Sequence, residues 1–486
     1  MMRVVVLGRD ADLWLCVAAI SHALRTAGVQ VVAVELPTRL PPSHVSAALP
    51  PLEALHAKLE IDEATLIRAT GGSFSLGQNF VAARGRVPGF FHAWGAYGTP
   101  VEGNAFFPCW LRAVRHGLNV PLQNFSLSAV AAHSGRMLLP DAATSAFGRT
   151  DYGYHLQTLP YVGFLESIAA RLGAEIREAQ AVAVERDTGT GHIAALILDG
   201  SLRVDGQLFV DATGEEAILI GQSLGVAREP WGDYFCVDRV LCARAPVFTS
   251  TPPFAEIRIA PTGWTALHPN RIMTGIRHAY SSRLLTDEAA LESASAASGA
   301  KLFDVSCYRV DPYIRSKAWE GNCIAVGGSA CALDPVHDVE LHVLQLGLVH
   351  LLSLFPVTGE FAAERAEYNR LIRSYYERVR DFQCAFYALS PIELRPRVLP
   401  PALEHKIATF RARGVIAPME DETFFPDSWQ AMLAGLGVVP ETWPPAVDRI
   451  EPQHLREQFR QMLGFVKGKV LEQPLHTGYL DSLCRI

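Results

Sequence analysis

The residues with the clearest chemical potential sit near the start of the chain. Val4-Val5-Val6-Leu7 is an apolar run of the kind that forms a buried parallel strand, and Gly8 ends it as the first glycine of a dinucleotide-binding turn would. Such a turn uses its second glycine to let the backbone approach a pyrophosphate, and its third to pack helix on strand. Those positions hold Asp10 and Leu13. A helix start leaves four N–H groups without internal partners, and these attract negative charge. Asp10 or Asp12 is placed to cap the helix as an ordinary Asp N-cap, which would fill the site with the chain's own carboxylate. Arg9 is a candidate to pair with a phosphate, with its direction open. Glu35, at the end of the next strand, stands where such folds bind a ribose hydroxyl; a solvent-facing strand-end glutamate is the alternative. His337 is of the type that acts as a general base near neutral pH, against the alternative of a structural histidine, and His92 and Asp338 are further acid/base candidates.

These residues need elements to position them. Leu13, Val17, Ile20 and Leu24 fall on one face of a helix expected over 13–27, with Gly28 as its stop. A second strand is expected over 29–36, a Pro- and Ser-rich loop over 37–51, and a helix carrying Leu52, Leu55 and Leu59. Residues 161–173 read as another helix, and 181–204 alternate as antiparallel strands around the turn at 188–191. The run 208–214 is a buried strand ending in small residues, and 323–330 is a strand and turn. Strand-like runs at 255–259 and 272–280 suggest a second sheet over a substrate cavity, for which Phe91, Trp94, Phe106, Phe107 and Trp110 are candidate lining residues; an aromatic core is the alternative. Beyond Phe361 the pattern is mostly helical, with Pro-rich breaks at 391–401 and 440–445.

The chain of 486 residues is long enough for two or three domains, with 49% hydrophobic and 19% charged residues. A net charge of −7 offers no electrostatic reason to expect nucleic acid or an anionic membrane as partner. The nine cysteines include no Cys-x-x-Cys pair, so neither a metal site nor a disulfide framework is expected, in keeping with a reducing cytoplasm. The first strand follows the N-terminus too closely for a signal peptide, and the best apolar stretch, 343–355, is interrupted by His350 and reads as a buried helix.

In order along the chain, a set of motifs resembles the flavin-dependent tryptophan halogenase family. Gly8-Arg9-Asp10-Ala11-Asp12-Leu13-Trp14 occupies the place of Gly-Gly-Gly-Thr-Ala-Gly-Trp, with Trp14 matching. Ala69-Thr70-Gly71-Gly72-Ser73-Phe74 resembles the segment leading to the family's catalytic lysine, and Phe91-His92-Ala93-Trp94-Gly95 is similar to a His-Pro-Phe-Gly motif. Gly263-Trp264 opens what should be Gly-Trp-x-Trp-x-Ile-Pro, Trp429, Gly435 and Gly437 look like a late Trp-x-x-x-Leu-x-Gly-x-Gly stretch, and Pro474-Leu475-His476 resembles the usual C-terminus.

The resemblance implies an α/β fold: an FAD/NAD(P)-binding Rossmann-like domain of the flavin monooxygenase type, with a substrate-side sheet and a helical C-terminal region. The cofactor-type domain is expected over 1–100, 150–225 and 310–355, the substrate side over 101–149 and 226–309, and the helical region over 356–486. FAD is implied as cofactor, with Gly8, Arg9, Trp14, Glu35, Asp211, Gly214, Gly327 and Pro335 as binding positions. A separate flavin reductase would supply FADH2, whose hydroperoxide is attacked by halide. The resulting hypohalous acid reaches a lysine beside an aromatic substrate, near a glutamate.

Four departures put that chemistry in doubt. The lysine position is Ser75, whose hydroxyl can neither form a chloramine nor carry positive charge, and Lys58 upstream reads as a surface residue. The glutamate position is His337, and the glycine that starts the next helix is Glu340. A carboxylate about 4 Å from a reduced flavin or halide would cost about 4 kcal/mol at an effective dielectric of 20, unless Glu340 turns outward. The aromatic motif after Trp264 loses its second tryptophan. The first turn places Asp10 and Leu13 at glycine positions. Three readings follow: an FAD-dependent, monooxygenase-like oxidoreductase without standard halogenation, with a flavin reductase and a small aromatic substrate; a flavin-free pseudoenzyme acting as a binding or partner subunit in a homo- or hetero-dimer; and a non-flavin enzyme that reuses the cavity.

Overall fold

The computed structural model describes residues 2–82, 87, 89–356 and 361–485. The chain divides into two compact units. One comprises Met1–Thr70, Leu156–Gly232 and Val310–Arg378; the other comprises Gly71–His155, Asp233–Arg309 and Val379–Ile486.

The first unit is built on a six-stranded sheet in the order Trp319–Glu320, Cys323–Ala325, Leu208–Ala212, Met2–Gly8, Val29–Glu35, Glu175–Glu178. All neighbouring pairs are parallel except the first. Val4, Val5, Val6 and Leu7 are fully buried, as expected of a central strand covered on both faces. The helix after it runs Asp10–Ala23, and Leu13 through Ser21 are all buried. The apolar stripe read from the sequence is therefore part of a helix buried nearly all round, packed against the helix Thr158–Arg171. The expected antiparallel strands appear as Val182–Arg186, Ile193–Leu198 and Leu202–Asp205. The apolar stretch containing His350 forms the helix Glu340–Ser353.

The second unit contains a seven-stranded sheet, ordered Phe303–Arg309, Arg239–Ala245, Thr274–Tyr280, Gly263–Pro269, Ala255–Ala260, Gly77–Ala82, Phe90–Ala93. Residues 71–82 and 89–100 cluster with this unit rather than with the cofactor-type sheet, because Gly77–Ala82 pairs in parallel with Ala255–Ala260. The C-terminal helices Pro401–Arg413, Pro426–Gly435 and Pro452–Glu472 each begin with a proline in the first turn, where its missing N–H costs nothing. No helix among the described residues is long and apolar enough to cross a membrane. No group of three or more His, Cys, Asp or Glu side chains among them is arranged to hold a metal.

Candidate functional site

The site forms at the carboxyl end of the first unit's parallel strands. A Cβ on Gly8 would stand 2.5 Å from the Ala212 carbonyl oxygen, so the neighbouring strand itself demands glycine there. Arg9 is the N-cap residue and makes no side-chain cap bond. Asp10 is the first helical residue and has a φ of 56°, so the second glycine position keeps a glycine-like backbone under a side chain that disfavours it. Neither aspartate caps this helix as expected. Asp12 instead turns toward the loop after Cys323–Ala325, where the Gly328 N–H donates to its Oδ2 at 3.4 Å. A Cβ on Gly327 (φ 52°) would lie 2.5 Å from the same oxygen. Burial pushes the Asp12 carboxyl up to about 7; the Gly328 N–H opposes the shift, and the nearby Asp10 and Glu340 charges reinforce it.

Arg9 is directed at Glu216, 2.7 Å away, and Arg39 meets the other oxygen of the same carboxylate at 2.5 Å. Sequence reasoning missed Glu216 and Arg39; the only signal was an acidic pair directly after the buried strand ending at Ala212. Trp14 is fully buried, and its indole Nε1–H donates to Glu35 at 3.1 Å. Burial raises the Glu35 carboxyl, and the Trp14 bond works against that shift. The ribose candidate thus already holds one donor from the chain.

Asp211, a binding position implied by the resemblance, is held by the chain itself. Its Oδ1 accepts from the Thr213 N–H (3.1 Å) and hydroxyl (2.7 Å) and from the Ser329 hydroxyl (3.0 Å). Its Oδ2 accepts from the Leu219 and Ile220 N–H groups, both at 2.8 Å. Both oxygens are engaged by the chain, and the carboxylate works as a structural knot. Gly214 (φ 69°) lies beside Gly328, and its carbonyl accepts from the Ser329 hydroxyl at 3.1 Å.

Pro335 precedes the short turn Val336–Asp338, in which His337 and Asp338 both have positive φ (68° and 56°). His337 is buried, and burial lowers its imidazole to about 3, against the pull of Asp338. That ring is neutral and poorly matched to base chemistry near pH 7. Glu340 is exposed on the first turn of Glu340–Ser353, the outward orientation left open above.

The second unit holds the lysine position. Ser75 is buried in the short strand Ser73–Ser75, paired with Gly153, and its hydroxyl donates to the Gly77 carbonyl at 3.0 Å. Phe74 beside it packs against Tyr152, Tyr154, His476 and Tyr479. Lys58 is exposed, as expected of a surface charge. The candidate lining aromatics fall into separate groups: Phe91 with His133 and Phe254, Phe106 with Phe125 and Phe459, Phe107 with Trp110 and Phe410. Trp94 lies against His92, which also meets Phe382 and Phe424. Trp264 donates to the Tyr387 hydroxyl at 2.7 Å inside the core. The sequence reading also missed Lys406, which pairs with Glu422 and lies over the Trp429 ring.

A parallel sheet of this order, with a helix leaving its first strand at a glycine turn, defines an α/β protein with an FAD-binding Rossmann-like fold. Residues 3–452 match the tryptophan halogenase family, and the chain belongs to it. It is 29% identical to BrvH, a flavin-dependent halogenase from Brevundimonas sp. BAL3, with a TM-score of 0.93 over 100% of this chain and 99% of that one. Xcc4156, a flavin-dependent halogenase from Xanthomonas campestris, gives 29% identity and a TM-score of 0.93 over 99% and 98% of the two chains. Tryptophan 7-halogenase RebH from Lentzea aerocolonigenes is 26% identical over 361 residues, 66% of this chain and 65% of RebH, so the match spans just under two thirds of that enzyme's length.

Proposed function

We propose that this chain is a member of the tryptophan halogenase family that does not carry out lysine- and glutamate-dependent halogenation, and that it acts as a binding or partner subunit. The Ser75 position carries the reading. In its place in the family motif stands a buried hydroxyl already donating to Gly77. A hydroxyl offers no amine nitrogen to capture oxidised halogen and no charge to hold hypohalous acid. The glutamate position supports the same reading, since His337 is a buried neutral imidazole rather than a carboxylate.

One observation favours a second reading, an FAD-dependent monooxygenase-like oxidoreductase served by a flavin reductase and acting on a small aromatic substrate. Two successive side-chain-bearing residues at positive φ, His337 and Asp338, store strain of the kind that concentrates at working sites. The test is an assay with a flavin reductase, FAD, halide and tryptophan or indole, read by mass spectrometry. No halogenated product is expected from the wild type or from Ser75→Lys. A halogenated product from the wild type would overturn the proposal. Product from Ser75→Lys alone would show that the rest of the machinery is intact, and an oxygenated product would favour the second reading.

A further inference from the structure

We infer that the Asp12 carboxylate, held against Gly327 and Gly328 beside the glycine turn, keeps a dinucleotide out, so that the wild-type chain excludes FAD and removing this one carboxylate admits it. The inference bears on the cofactor and does not depend on the reading of Ser75.

The residues at the glycine turn do not fit FAD. A pyrophosphate needs backbone free of side chains and a favourable charge. The turn after Gly8 instead carries Asp10 and Asp12, and the Asp12 oxygen lies against Gly327, where it is the nearest atom, and accepts from the Gly328 N–H. The Gly328 N–H, a donor suited to an anion, points at Asp12. The charges that could compensate are committed elsewhere: Arg9 and Arg39 converge on Glu216. The groups acting electrostatically on Asp12 add no positive charge. They are Asp10 on its own turn, Glu340 at the start of the helix Glu340–Ser353, the Cys16 thiol one turn on, and the Tyr376 hydroxyl. The cradle itself remains foldable. Gly8 keeps its close approach to the Ala212 backbone and Gly328 its approach to Gly214, and Asp10 keeps a glycine-like φ. What stands in the way is a side chain.

The experiment is an equilibrium titration of the intact protein with FAD near pH 8, followed by flavin fluorescence and by calorimetry. Wild type is compared with Asp12→Ala, which removes charge and bulk, and Asp12→Asn, which removes charge alone. Circular dichroism and thermal melts confirm that each variant is folded. The expected result is no saturation of wild type at about 100 µM FAD, and binding at least about tenfold tighter in Asp12→Ala, with Asp12→Asn between the two. Saturation of wild type at micromolar FAD would overturn the inference. So would folded Asp12→Ala and Asp12→Asn proteins that bind no better than wild type, since another element would then close the site. Because binding is read directly, failure here is distinct from failure of the halogenation assay.

Discussion

The two regions that depart from the family pattern do so in opposite ways. At the carboxyl end of the parallel sheet the departure is an addition: aspartates stand at Asp10 and Asp12, and Asp12 is held against Gly327 and Gly328 while Arg9 is taken up by Glu216. Around Ser75 the departure is a loss: an amine is replaced by a small hydroxyl whose hydrogen bond is satisfied within the strand, beside a packed group of rings. An added charge can be removed by one substitution and leaves a cradle behind. A lost function at a buried position needs both a new group and room for it. Under the two proposals above, the cofactor side is obstructed by a side chain, whereas the lysine position holds a buried hydroxyl.

The largest effect should separate structural from ligand-facing residues on the obstructed side. Asp211→Ala strands the donors of Thr213, Leu219, Ile220 and Ser329, and should lower stability by about 3–5 kcal/mol in chemical denaturation. A loss below about 1 kcal/mol would mean that the carboxylate is not the knot described, and would return it to the cofactor-facing set.

Next in size is the pH dependence of stability. The Asp12 carboxyl lies above its ordinary value of 3.8, at about 7, so the folded state holds this proton more tightly than the unfolded chain. That stabilisation is complete below 3.8 and is lost as pH rises through about 7. Between about pH 6 and about pH 8 the wild type should lose up to about 1.4 kcal/mol, and Asp12→Asn distinctly less. Equal slopes for the two proteins would remove the description of Asp12 as a carboxyl whose proton the fold holds.

Smaller effects sharpen the contrast. Ser75→Ala removes one hydrogen bond at the lysine position and should cost about 1 kcal/mol; a gain in stability would show that the hydroxyl is poorly satisfied. Asp10→Gly relieves a positive φ and should stabilise by about 0.5–1 kcal/mol in thermal melts. A loss there would mean that Asp10 makes a compensating contact.

Much of the fold could be read from the sequence because its signals are local. The four-residue apolar run before Gly8, the alternation over 181–204 and the Pro-rich breaks in the helical C-terminal region each reflect a periodicity or backbone preference acting over a few residues. The site was legible only in part. The sequence marks Asp10 and Asp12 together as foreign to a glycine turn, but only the packing of the later loop decides that Asp12 is the carboxylate that reaches Gly327, more than 300 residues away along the chain. The pairing of Arg9 and Arg39 with Glu216 and the five bonds on Asp211 are likewise long-range contacts that no spacing announces. His337 looked like a base near neutral pH because residue type carries an unperturbed pKa, whereas burial sets the value at about 3.

The central claim is that charge at Asp12 keeps FAD out, and the most direct measurement is FAD affinity as a function of pH for wild type and Asp12→Asn. With the Asp12 carboxyl titrating at about 7, wild-type affinity should rise roughly tenfold or more from about pH 8.5 to about pH 6, while Asp12→Asn stays nearly level and tighter at the alkaline end. Two proteins with the same pH profile, or a wild type already saturated at micromolar FAD at the alkaline end, would contradict it.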